Sequence, residues 1–151
     1  MGTDNMAEDM VEVMRAGLFL ERVRRNYQMD PQPEDVLEWA SRSGAQILGM
    51  GHDTGTLEVG KKADLFMVNM MRPHLVPTLR IVSGFIHNGQ ASDVESVMVD
   101  GRWLMRDGKV LTIDEEDIVS RSEHIGHSVW RRLIQLYPNV SFPVSLPPGN
   151  G

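Results

Sequence analysis

Between Met6 and Val23, apolar or small residues return every three or four positions, at Met6, Met10, Val13, Met14, Gly17, Leu18 and Val23, with Glu8, Glu12, Arg15 and Arg22 on the other side. That period stacks side chains on one face of a helix, so the stretch predicts an amphipathic α-helix. The pattern breaks from Asn26 to Pro33 and resumes with Val36, Leu37, Ala40, Gly44, Ile47 and Leu48. Pro33 suits a first helical turn, Glu34 and Asp35 stand where the helix dipole favours acids, and Gln32 takes the cap position in place of Ser or Thr. Gly49 and Gly51 end this second helix. The period then shifts from helix to strand: Gly55, Gly60, Gly84, Gly89, Gly101 and Gly108 punctuate short β-rich runs, predicting strands over 64–70, 94–99, 102–105 and 109–112. Asp100-Gly101 and Asp107-Gly108 accept the positive φ angles of tight hairpins, so the last three strands read as a meander. Asp114 caps a third helix, with Glu115, Glu116 and Asp117 in its first turn and Ile118, Ile125, Val129, Leu133 and Leu136 expected to face inward. From Pro138, the prolines at 143, 147 and 148 prevent further helix, and the tail is expected to wrap over the surface or be disordered. The fold class that follows is α+β.

Composition narrows the function. With 15 basic and 21 acidic side chains, a net charge of -6 and a pI near 5.3, nothing draws the chain to phosphate backbones or anionic membranes. No nucleic acid and no membrane partner is expected. The absence of cysteine excludes disulfides, thiolate zinc ligands and a cysteine nucleophile, and suits a reducing compartment. No apolar run approaches the ~18 to 20 residues that span a bilayer, and the polar, acidic first residues do not form a secretory signal. A cytoplasmic protein is the expectation.

Candidate chemistry is sparse. Gly2-Thr3-Asp4 directly before an amphipathic helix is the arrangement expected where a barrel strand ends and delivers a carboxylate into a site. The alternative is an aspartate that merely caps the helix from Ala7. The five histidines, His52, His74, His87, His124 and His127, contain no His-x-His pair. His124 and His127, beside Glu123, read more readily as solvated helix residues than as a surface metal pair. His74 and His87 are expected in loops. Arg22, Arg24 and Arg25 read as a helix end favoured by the dipole, Trp39, Trp103 and Trp130 as core or interface anchors, and the eleven methionines as adaptable packing.

Several of these segments together carry a resemblance. Gly2-Thr3-Asp4, Pro33 to Leu37 with Ser43-Gly44-Ala45 and Leu48-Gly49, Gly55-Thr56-Leu57-Glu58-Val59-Gly60-Lys61-Lys62-Ala63-Asp64-Leu65, and Val94 to Gly101 resemble the closing segment of amidohydrolases. The branch is that of cytosine-type deaminases, triazine chlorohydrolases and methylthioadenosine or S-adenosylhomocysteine deaminases. The resemblance implies the last strand end and helices of a (β/α)₈ barrel (1–50, incomplete), part of a small β-sandwich (51–113), a terminal helix (114–137) and a Pro-rich tail (138–151). It implies a parent enzyme that uses zinc or iron to hydrolyse a C–N or related bond of a small nitrogen heterocycle. In that enzyme Asp4 contacts the metal or its water and shuttles a proton. The family's His-x-His pair and further histidine ligands have no counterpart here, so this chain alone is expected to hold no catalytic metal and to be inactive. The loop after Asp4 also departs from relatives that continue with glycine and two asparagines. Exposed barrel-facing helices and open strand edges imply self-association or association with the missing N-terminal segment. The competing reading is a non-enzymatic α+β module for self-association or protein interaction.

Overall fold

A helix starts where some group can accept from the amides that no helical carbonyl reaches. In the computed structural model, which describes residues 1–4 and 8–147, that group is the Asp9 carboxylate. It accepts from the N–H of Val11 at 2.7 Å and of Glu12 at 3.3 Å, and α1 runs Met10–Arg25. The helix thus begins later than the apolar period predicts, and its cap is Asp9 rather than Asp4; Met6 and Ala7 lie outside the described residues. Asn26, at φ 51°, closes α1 in the left-handed region. The buried side is Val11, Met14 and Leu18, rotated away from the expected Met10 and Val13.

The next helix is interrupted. α2 (Pro33–Glu38) begins with the Asp35 carboxylate accepting the Gln32 N–H at 2.7 Å, widens into a π-helical turn over Trp39–Ser43, and continues as α3 (Gly44–Ile47). In the π turn the Ser41 hydroxyl donates to the Leu37 carbonyl at 2.7 Å, a local bond that competes with the helical ladder.

The glycine-spaced loop after α3 has a mechanical role. Gly55 holds φ 90°, and a Cβ there would lie 2.8 Å from the Ala45 Cβ and 3.1 Å from the Arg42 Cα, so the loop backbone rests directly on the helix. The Lys61 ammonium donates to the Gly51 carbonyl (2.8 Å) and to the Thr56 hydroxyl (2.6 Å). At the loop's end the Asp64 carboxylate accepts the Asp100 N–H at 2.6 Å, and the Ala63 carbonyl accepts the Gly101 N–H at 3.2 Å. The Ala-Asp of the sequence motif therefore fastens a distant hairpin turn.

That turn belongs to a four-stranded antiparallel sheet in the order β1 (Leu65–Val68), β2 (Val94–Val99), β3 (Arg102–Arg106), β4 (Lys109–Val110). Leu65 pairs with Met98, Val99 with Arg102 and Met105 with Val110. Both residues of each Asp-Gly turn hold positive φ, 49° and 76° at Asp100-Gly101 and 51° and 75° at Asp107-Gly108.

Between β1 and β2 lies α4 (Ile81–Asn88), a helix the sequence pattern does not predict. Its β-branched Ile81 and Val82 and its Gly84 have weak helix propensity, and burial of Phe85 and Ile86 overrides it. His87, expected in a loop, is in the last turn of α4, where its Nδ1–H donates to the Ser83 carbonyl at 2.8 Å. Val11, Met14, Leu18, Val36, Phe85 and Ile86 form the core, with Trp39, Val68 and Val82 packed against it.

The described residues from Thr112 on form a second compact unit, the first ending at Leu111. Here the Asp114 carboxylate accepts the Asp117 N–H at 3.0 Å and starts α5 (Glu115–Leu136). The side expected to face inward is not enclosed: no residue of α5 is buried. The tail returns along the helix, with the Phe142 ring edge-on to Trp130 at 5.8 Å and Arg131 donating to the Pro147 carbonyl at 3.2 Å. Pro148 lies outside the described residues. Among the described helices none is long and apolar enough to cross a membrane.

Candidate functional site

Asp4 stands ahead of the cap of α1, exposed, with φ 52°, a region aspartate tolerates better than most residues. Among the described residues it has no hydrogen bond or ion pair. A zinc site takes about three or four protein ligands. No group of three His, Asp or Glu able to hold a metal ion occurs among the described residues. The described side chains therefore do not fit a zinc or iron ion by themselves, and Asp4 offers a single carboxylate.

The hollows of the first unit lie elsewhere. Close to the start of α1, a polar hollow of about 260 Å³ is bordered by Asp9, Glu12 and Arg15. Arg15 is committed to structure: its Nε donates to the Ile86 carbonyl at 3.1 Å and its guanidinium also donates to the Gly89 carbonyl, neutralising the negative end of α4. An apolar cleft of about 350 Å³ opens among Met10, Met14, Leu37, Phe66, Phe85 and Val97. Its hydroxyl, that of Ser41, already donates to Leu37, so the cleft can receive an apolar group but offers no acid or base. A wider hollow, about 770 Å³, is at the far end of α1, lined by Phe19, Arg22, Val23, Asn26, Tyr27 and Gln28. It contains no carboxylate or imidazole.

The best-formed polar cluster was not evident from the sequence. Asp93 is 2% exposed, and its Oδ2 receives the His74 Nε2 at 2.8 Å and the Gln90 N–H at 2.9 Å, while the Arg72 Nε lies 3.8 Å from Oδ1. Burial opposes the charge on Asp93. The His74 hydrogen bond, the Gln90 amide and the charges of His74 and Arg72 outweigh it, and hold the carboxyl below its usual range. An Asp–His pair could orient a base, but the other ring nitrogen of His74 has no hydrogen-bond partner among the described residues, so no nucleophile is poised beside it. The cluster clasps the loop before α4 to the start of β2. A cue was present in the three-residue step from Gln90 to Asp93, the spacing at which a carboxylate turns back onto an amide.

The other candidates fall to structural roles. Arg24 and Arg25 pair with Glu21 at 2.5 and 2.8 Å, and Arg22 donates to the Pro31 carbonyl at 3.0 Å. His127 pairs with Glu123 at 3.0 Å along α5, and His52 lies 3.4 Å from Asp53. Trp103 lies under the Arg106 guanidinium at 5.5 Å.

Comparison with known proteins gives this scaffold a family. Residues 1–104 match the model of the amidohydrolase family. A 5-methylthioadenosine/S-adenosylhomocysteine deaminase of Desulforudis audaxviator is 37% identical over 139 residues, 89% of this chain and 31% of that protein. The enzyme of the same name from Syntrophomonas wolfei is 33% identical over 126 residues, 81% of this chain and 29% of that protein. Among solved structures, a zinc-bound adenosine deaminase from Xanthomonas campestris superposes with a TM-score of 0.75 at 24% identity, covering 84% of this chain and 28% of that one. The zinc complex of an atrazine chlorohydrolase from Arthrobacter aurescens gives 0.67 at 24% identity, covering 74% and 25%. These structures share the fold, and the chain spans about three tenths of the length of the two deaminases. With most of its length matched by the family model, the chain belongs to the amidohydrolase family.

Proposed function

We propose that the chain is the closing part of a cytoplasmic, metal-dependent aminohydrolase that releases ammonia from a nitrogen heterocycle. The observation that carries this reading is the 33% and 37% identity to two proteins named as deaminases of adenine-bearing compounds, over 81% and 89% of the chain. In this reading residues 1–50 complete a (β/α)₈ barrel, 51–113 contribute to a β-sandwich beside it, and 114–137 form the terminal helix. Asp4 takes a proton from the attacking water and passes it to the departing amine. An aspartate with no structural bond among the described residues suits a group that must gain and lose a proton. The other ligands, and with them the metal, belong to the parent enzyme, so the 151 residues alone are inactive. Their exposed apolar faces are covered by the rest of the enzyme or by further copies of the chain.

A chimera tests the reading. The matching segment of the Desulforudis audaxviator deaminase is replaced by this chain, and ammonia release from 5-methylthioadenosine is measured beside bound zinc. The chimera is expected to turn over, and Asp4→Asn to slow it by about 10² to 10⁴-fold, the usual contribution of a positioned acid-base group. Its thermal midpoint is expected to stay unchanged. Full activity of the Asp4→Asn chimera, or zinc-dependent turnover by the 151-residue chain alone, would overturn it.

A further inference from the structure

The amphipathic helix α5 has an apolar stripe that the described residues of its own unit leave exposed. Ile118, Ile125, Val129 and Leu136 are 42%, 56%, 58% and 64% exposed, and Ser122 and Leu133 complete the row at steps of three and four residues. At 3.6 residues per turn this row stays on one side for the whole helix. Asp117, Arg121 and Arg132 follow one flank of it. Asp117 and Arg121 pair with each other at 3.4 Å, while Arg132 has no ion pair among the described residues. Charge also changes sign along the helix, with Glu115, Glu116 and Asp117 in the first turn and Arg131 and Arg132 near the end.

We propose that α5 pairs antiparallel with α5 of a second copy of this chain, about a two-fold axis beside Ile125. Such an axis places Ile118 of one copy opposite Leu133 of the other, Ser122 opposite Val129, and Ile125 against its own counterpart. In antiparallel pairs the same flank of each helix meets, so Asp117 stands across from Arg132 and the unpaired guanidinium gains a carboxylate. The acidic end of each helix lies along the basic end of the other. Parallel pairing would instead set acid against acid and base against base, which is unfavourable. Gly126 adds a second observation at the same place. A glycine inside a helix is less favourable than alanine, and a Cβ here would meet nothing within 4 Å among the described residues beyond its own helical neighbours. At the crossing point of two helices its missing side chain lets the backbones approach. This inference gives the self-association of the preceding section an element and a direction, and it rests on that part of the reading and not on the deaminase assignment.

Sedimentation equilibrium of the 151-residue chain is expected to show a dimer at micromolar concentration. Ile125→Asp should weaken it by about thirtyfold or more, as loss of a central anchor does. Arg132→Asp should weaken it less, and adding Asp117→Arg to that variant should restore it, which a merely misfolded helix would not do. Because the chain has no cysteine, direction is tested by mild oxidation of introduced thiols. Ile125→Cys should link to itself, and Ile118→Cys should link to Leu133→Cys in a mixture but not to itself. A strict monomer would overturn both this inference and self-association in general. A dimer indifferent to the α5 substitutions, or self-linking Ile118→Cys, would overturn the α5 pairing alone.

Discussion

At the scale of single residues, Asp93 shows how a carboxylate can be buried without being catalytic. Enclosure raises the cost of its charge, and His74, the Gln90 amide and Arg72 return more than that cost. Its folded pKa lies below its unfolded value, so its ionised form stabilises the chain above an unfolded pKa of about 3.9. That contribution disappears as pH falls through the lowered folded value. Asp93→Asn is therefore expected to lower stability at neutral pH by about 1 to 3 kcal/mol, the cost of disrupting a buried, charge-assisted bond. It should also flatten the acid side of a plot of urea midpoint against pH, and an unchanged acid side would count against the clasp. Asp4 illustrates the opposite case. Its position before a helix was legible in the sequence, but whether it capped that helix was not, because Asp9, five residues on, is an equally good cap for a helix that starts about a turn later.

At the scale of elements, helix starts and tight turns are decided by local hydrogen bonding, and these are the features a sequence displays most openly. The two Asp-Gly pairs specify hairpins because both turn residues need positive φ, and the strands around them lie within a few residues of the sequence reading. α4 was hidden for the converse reason: Ile81, Val82 and Gly84 disfavour a helix locally, and what stabilises it is burial of Phe85 and Ile86 against Val11, Met14, Leu18 and Val36. Neither the Asp64 bond to Asp100, 36 residues away, nor the π turn in the second helix has a local cue. The start of α1 provides a direct measurement. Asp9→Ala should cost about 1 kcal/mol through loss of the cap, whereas Asp4→Ala should leave stability within about 0.5 kcal/mol. Urea unfolding of the two variants side by side checks this, and equal losses would mean that both carboxylates support the helix.

At the scale of the whole molecule, what the chain leaves uncovered is informative. In the first unit Phe19, Leu20 and Val23 on α1 are 47%, 69% and 77% exposed, and Ile47 and Leu48 at the end of α3 are 83% and 75% exposed. β1 is an edge strand, with one side unpaired among the described residues. Scattered exposed leucines need no explanation, but adjacent ones on a helix that already buries its other face are where a second layer would rest in the proposed reading. If that layer is the remainder of an amidohydrolase barrel, its presence must protect these positions. Leu20→Cys and Leu48→Cys each introduce the chain's single thiol. Both thiols are expected to react with a soluble maleimide at the rate of a free cysteine in the 151-residue chain, and at least about tenfold more slowly in the deaminase chimera, since slow opening then limits access. Glu12→Cys, at an exposed position on α1, serves as the comparison and identifies protection that merely follows from helix formation. Equal rates for Leu20→Cys in the chain and the chimera would show that α1 meets no second layer, and the barrel placement of residues 1–50 would then have to be abandoned.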